Sequence, residues 1–263
     1  MNKLLVLAGI AMMVAACTGN DEAVQEYGQI NLTLENSIVP DIEVNTRAAN
    51  DLTEEEAKNY NIQVFQNGTT KLESTNYMTF KNTTFIFPVG EGYTVTAESC
   101  TEESAKTAND GTGCVRYFGT SAAFAINTNA VSNATVTCGM ANAKISIVYD
   151  EIFTQVFTGY TVTVYTEADP TRRIVFDENG KCIDGAYDTV FFNIDSDNQN
   201  LKCEVTGTYK GNVRTGTQTI ALEAAKWYKI NVKTSASGQI GLGIAMDDTV
   251  TETPEDVEVN PYA

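Results

Sequence analysis

Histidine occurs nowhere in the 263 residues. That absence excludes Ser-His-Asp and Cys-His triads, histidine metal sites and imidazole acid/base chemistry. The cysteines never fall in a CxxC spacing, which leaves zinc-ribbon and thioredoxin-type readings without support. Positive charge is scarce, with 17 Lys and Arg against 34 Asp and Glu and a net charge of −17. Such a surface repels phosphate backbones, so nucleic acid is not an expected partner. Beyond residue 16 no apolar run is long enough to cross a bilayer as a helix. Carboxylate pairs, Ser-Lys dyads and oxygen-ligated cations stay chemically open, but none has a motif here. No catalytic residue, cofactor or metal is expected, and the chain does not read as an enzyme.

The N-terminus is informative. "MNKLLVLAGIAMMVAAC" sets Lys3 before an apolar run from Leu4 to Ala16 that ends on small residues at Cys17. This is the pattern of an export signal over residues 1–16. "VAAC" resembles the bacterial lipobox, in which the cysteine thiol receives a diacylglycerol and the signal is cut before it. Cys17 is therefore the expected lipidation site, and removing Lys3 with the signal takes the charge from −17 to −18. Asp21 and Glu22 follow closely, a placement similar to the surface-export signal of Bacteroidales lipoproteins.

Six cysteines leave five after lipidation, an odd number. Cys100 and Cys114 flank the polar loop "TEESAKTANDGTG" and could close it, while Cys182 and Cys203 are a second possible pair. Equally, all five could be free. Cys138, at the end of "ATVTC", reads as a small buried hydrophobe.

Period-two alternation dominates the rest. Ile30, Leu32 and Leu34 share one face of "QINLTLE", and Tyr93, Val95 and Ala97 share one face of "YTVTAES". The same pattern predicts strands in "NIQVFQNG", "AKISIVYD", "GYTVTVYTE", "DTVFFNID", "KCEVTGTYK", "KWYKINVK" and "QIGLGIAM". Asn67-Gly68, Glu91-Gly92, Asp110-Gly111, Asn179-Gly180 and Asp184-Gly185 supply turn chemistry. Only "LTEEEAKNY" has helical character. The fold class is all-β. At roughly 100 residues per seven-stranded sandwich the mature chain is long enough for two. The expected units are an N-terminal sandwich over 27–138 and a C-terminal one over 139–263, divided at "CGMANA".

Taken together, "GQINLTLE", "NTRAANDLTEEEAKNYNIQVFQNG", "FPVGEGYTVTAESC", "VRYFGTSAAFAI", "VTCGMANAKISIVYD" and "ALEAAKWYKINVK" resemble, in order and spacing, the fimbrillin-like surface lipoproteins of Bacteroidales, in a branch of the type V pilus superfamily that is mostly uncharacterised. The resemblance implies two tandem β-sandwiches of fimbrillin-like, transthyretin-like type. It also implies a surface-exposed, lipid-anchored outer-membrane protein that acts as a pilus subunit or adhesin. Its partners would be other pilus subunits or further copies of itself, and host or bacterial surface ligands. In that family an arginine-specific protease removes the N-terminal segment with its first strand. Arg47, the only basic residue between Cys17 and Lys58, sits where such a cut would fall, leaving Ala48 as the new N-terminus and 17–47 as the removable segment. The alternative reading of Arg47 is a solvated loop residue.

A groove left by the removed strand would be filled by strand addition. Val257 and Val259, alternating with Asp256, Glu258 and Asn260, make the C-terminus the candidate donor; it reads equally as the edge strand of its own sheet, blunted by Pro261. A stand-alone glycan-binding lipoprotein is the alternative function. It would need exposed aromatics such as the single tryptophan, Trp227, or Tyr117, Tyr149, Tyr160, Tyr165 and Tyr209. Three weaker signals complete the inventory. "DSDNQN" at 195–200 looks like a calcium loop but lacks the glycine and terminal glutamate, and reads as a turn. "DTV" at 188–190 and 248–250 resembles a Bacteroidales O-glycosylation site on Thr189 and Thr249, a match short enough to arise by chance.

Overall fold

The structure is a computed structural model that describes residues 25–36, 57–182, 187–194, 199–234, 240–247 and 257–258. These residues fold mainly as β-strands. The first eight strands are β1 (Tyr27–Asn36), β2 (Asn61–Gln66), β3 (Thr69–Asn76), β4 (Ile86–Pro88), β5 (Gly90–Glu98), β6 (Tyr117–Thr120), β7 (Phe124–Ile126) and β8 (Val131–Met140). They form one sheet in the order β3-β2-β5-β6-β8-β1-β4, with β7 also paired to β5. The remaining strands are β9 (Asn142–Tyr149), β10 (Phe157–Thr166), β11 (Ile174–Phe176), β12 (Thr189–Asn193), β13 (Gln199–Tyr209), β14 (Asn212–Leu222), β15 (Trp227–Thr234), β16 (Ile240–Asp247) and β17 (Val257–Glu258). They build a four-stranded sheet, β11-β10-β13-β14, and a five-stranded sheet, β12-β9-β15-β16-β17. Three helices of six residues each, α1 (Tyr77–Asn82), α2 (Glu102–Thr107) and α3 (Glu151–Val156), lie between strands.

Alternation explains the layers. In β5, Tyr93, Val95 and Ala97 are fully buried while the residues between them are not, the face division expected of a half-buried strand. β10 repeats the pattern with Val162 and Val164, and β15 with Tyr228, Ile230 and Val232. The buried side chains gather into two clusters. One runs from Leu32 to Cys138 and the other from Ala143 to Leu242, with both later sheets contributing to the second.

Turn chemistry holds where two residues with positive φ are required. Asn67 (φ 49°) and Gly68 (φ 79°) join β2 to β3, the geometry whose twist matches that of a hairpin. Glu91-Gly92 differs from expectation, because it lies inside β5 rather than between strands. Gly92 (φ 75°) sits at a register break against β7 between Gly90 and Tyr93, so its glycine makes a bulge and not a turn. The hairpin from β13 to β14 turns on Lys210 (φ 49°) and Gly211 (φ 80°). Asp184-Gly185 lies outside the described residues.

Candidate functional site

The first strand is held in an unusual way. β1 runs parallel to β8 over eight paired positions, Gln29↔Val131 to Asn36↔Cys138. Its other edge pairs with β4 over only three, Tyr27↔Pro88 to Gln29↔Ile86. Among the described residues, then, β1 from Ile30 onward has a neighbouring strand on one side only. Leu32 and Leu34 point into the first cluster and are almost fully buried, while Ile30 is only partly so. Two full burials contribute about 1.5–3 kcal/mol each, less than three would. On the outer face Asn31 Nδ2 donates to Asn133 Oδ1 (2.9 Å) and Thr137 Oγ1 to Glu35 Oε2 (3.3 Å). The Tyr77 hydroxyl, from α1, donates to the Leu32 carbonyl at 3.3 Å. Taking β1 away would uncover the apolar face it shares with Ala134, Val136 and Cys138 of β8.

Other sequence-predicted residues fall in different places. Cys17, Arg47, Ala48, Val259 and Thr249 lie outside the described residues. Val257 belongs to β17, which pairs antiparallel with β16 of its own chain through Leu242↔Val257 and Gly241↔Glu258. That is the edge-strand reading of the C-terminus. Thr189 opens β12 opposite Ser146. Of the "DSDNQN" stretch, Gln199 and Asn200 begin β13 and the rest lies outside the described residues. Among the described residues no group of three or more acidic or cysteine side chains is placed to hold a metal ion. No described helix is long and apolar enough to cross a membrane.

None of the five described cysteines forms a disulfide in this structure. Cys182 and Cys203 are buried in the second cluster without being bonded to each other. Burial pushes the Cys138 and Cys203 thiols up to about 12, which leaves both inert at neutral pH. Cys100 and Cys114 are half-buried, and burial first, then the neighbouring Cys100, pushes the Cys114 thiol up.

The aromatic side chains weighed for glycan stacking are occupied by protein. Lys144 Nζ and Lys229 Nζ stand 3.8 Å and 4.4 Å from the Trp227 ring centroid, and the indole N–H donates to Ser146 Oγ at 2.9 Å. Tyr149 and Tyr160 pack edge to face at 4.8 Å within the second cluster's rim. Tyr165 lies under the Arg173 guanidinium (4.1 Å) and donates to Glu204 Oε1 (2.6 Å), while Tyr209 leans on Phe157 (5.4 Å). Tyr117 is partly buried against the first cluster. These rings do not form a common platform.

Sequence reading missed the contacts made by the loop between β5 and β6. Arg116 is 8% exposed; its guanidinium meets Glu98 (2.9 Å) and Glu102 (3.4 Å), and its Nε donates to the Cys100 carbonyl (3.2 Å). Arg172 donates twice to the Gly111 carbonyl, at 3.2 Å and 2.8 Å, and lies 4.7 Å over Phe192. A cavity of about 200 Å³ beside it is lined by Asp110, Thr112, Thr171 and Arg173, and falls below the size of an ordinary small-molecule pocket. A pattern of strand alternation carries no signal for such contacts.

The strand order and the two clusters define an all-β protein with a first strand braced mainly from one side. The chain belongs to the family described as Domain of unknown function (DUF4493), whose profile matches residues 26–261. Among solved structures it is similar to the fimbrial anchor protein Mfa2 from Porphyromonas gingivalis, at 9% identity and a TM-score of 0.46, covering 83% of this chain and 96% of that one. It is also similar to a fimbrial assembly protein from Parabacteroides distasonis, at 13% identity and a TM-score of 0.45, covering 88% and 99%. No curated protein matches the chain.

Proposed function

We propose that this protein is a surface-exposed outer-membrane lipoprotein that serves as a pilus subunit or adhesin and assembles by strand exchange. In this reading residues 1–16 are removed, Cys17 is lipidated, and cleavage after Arg47 frees the segment that carries β1. The two hydrophobic clusters are the cores of two tandem sandwiches that meet at Cys138–Ala143. The observation that carries the proposal is the pairing of β1. It has a strand partner on one side for most of its length, its inner face is apolar, and its sequence link to β2 runs through the segment containing Arg47. One cut there turns β1 from a covalent part of the sheet into a bound peptide. The vacated position is a strand-shaped apolar groove, the kind of site that strand addition fills.

The test is the N-terminal residue of protein recovered from the cell surface. Material in high-molecular-weight fibres should begin at Ala48. Recovery only of lipid-bearing chains that begin at Cys17 would sink the strand-exchange part and leave a permanently anchored adhesin.

A further inference from the structure

The loop enclosed by Cys100 and Cys114 reaches from the first cluster's half of the chain onto the second. Within it Thr101 caps α2 by accepting from Ser104 N, and Cys114 N returns to the Ala105 carbonyl, so the loop is folded back on itself. Its outer side then meets the other half at successive points. Lys106 Nζ pairs with Asp169 Oδ2 at 2.6 Å; Asn193 Nδ2 donates to the Glu102 carbonyl at 2.8 Å; Phe191 N donates to the Thr112 carbonyl at 2.9 Å. Arg172 holds the Gly111 carbonyl, and Asn142 Nδ2 donates to the Cys114 carbonyl at 2.7 Å. Gly113 (φ 90°) has no room for a side chain, since a Cβ would stand 2.9 Å from the Phe191 carbonyl oxygen. The loop is a strap across the joint.

Both ends of the strap meet at its base, where Ser99 N donates to the Tyr117 carbonyl and Arg116 Nε to the Cys100 carbonyl, so that the chain entering at Cys100 lies beside the chain leaving after Cys114. We propose that Cys100 and Cys114 form a disulfide that locks this strap and stiffens the joint between the two halves. The oxidant is an organic disulfide, either a small molecule or the active-site disulfide of an oxidoreductase. One thiolate attacks it, releasing one thiol and forming a mixed disulfide. The second thiolate attacks the mixed disulfide at the protein sulfur, closing Cys100–Cys114 and releasing the second thiol, so that two protein thiols are oxidised and one external disulfide is reduced. Exported proteins meet such oxidants on their way out, and to that extent the proposal rests on the export reading. The pairing itself does not.

The experiment uses the chain from residue 17 with Cys17→Ser, equilibrated with oxidised or reduced glutathione. Peptide mapping of the oxidised sample should give one cross-linked species joining Cys100 to Cys114, two hydrogens lighter than the dithiol. Hydrogen exchange should then slow about tenfold in peptides covering 167–173 and 189–194, with no change over 201–222. The double variant Cys100→Ala, Cys114→Ala should lose that redox dependence. Stable glutathione adducts on both cysteines, or any other pairing, would overturn the disulfide. A Cys100–Cys114 bond that leaves exchange at 189–194 unchanged would overturn the lock. Failure of lipidation or of cleavage at Arg47 in cells would leave both outcomes readable.

Discussion

At the scale of single residues, the strap is held by charge placed where exposure is intermediate. The Asp169 carboxylate accepts from Lys106 Nζ, from Thr171 Oγ1 at 2.6 Å and from Arg172 N at 3.3 Å. The Lys106 hydrogen bond first, and that of Thr171 next, hold its pKa down at about 2, below its ordinary 3.8. A depressed carboxylate pKa favours the folded state above the unfolded value and loses that contribution as pH falls through the folded one. The Asp169 contribution is therefore complete above about pH 5 and fades between there and about pH 2. Since the paired side chains are 40% and 30% exposed, it stays within the ~0.2–1 kcal/mol of solvent-screened pairs. Asp169→Asn should lower the urea midpoint at pH 6 and have a smaller effect at pH 3. An equal effect at both pH values would show that the carboxylate acts by shape and not by charge. Arg116 works at higher stakes, because its guanidinium is nearly enclosed and depends on Glu98 and Glu102 for compensation.

At the scale of elements, alternation was readable and partnership was not. β1, β5, β9, β10, β13, β15 and β16 all lie where period-two patterning places them; β5, β13 and β15 show why, since each buries one face and that face demands every second residue. β14 gave little sign of itself: "NVRTGTQTIAL" mixes Gly, Thr and Gln along a strand paired mainly through its backbone to β13. The parallel partnership of β1 with β8 joins residues about a hundred positions apart, and no local pattern encodes it. Glu91-Gly92 was misplaced because a positive-φ glycine serves a bulge as well as a turn. Of the candidate site, the inward set Leu32 and Leu34 was legible, whereas the edge of β1 beyond Gln29, which no described strand covers, emerged only from the sheet order. That edge yields a prediction. A chain starting at Ala48 should bind a synthetic peptide of residues 25–36 and gain thermal stability from it. The same peptide with Leu32→Asp and Leu34→Asp should bind at least about 100-fold more weakly, since two buried leucines are worth about 1.5–3 kcal/mol each. Equal binding of both peptides would mean that β1 is held by its backbone alone.

At the scale of the whole molecule, the question is what would fill the β1 position if, as proposed, that strand is removed. Eight positions of β8 would be left without their parallel partner, and Ala134, Val136 and Cys138 would lose their cover. The described part of the C-terminal strand spans two residues, which pair with β16 at two positions. Two residues cannot fill eight positions, and Pro261 cannot donate a ladder hydrogen bond, so the donating segment must extend upstream, from about Val250 onward. Two valines also fill less volume than the two leucines they would replace, and the exchanged strand should sit less tightly than β1. Sedimentation of two chains decides the matter. One starts at Ala48 and keeps its native C-terminus; the other starts at Ala48 and ends at Thr253. The first should form oligomers that survive mild urea, and the second should stay monomeric or unfold more readily, because its groove has no donor. If both sediment alike, the C-terminal strand serves only its own sheet, strand exchange fails, and the reading that survives is a tip, an anchor or a stand-alone surface binder.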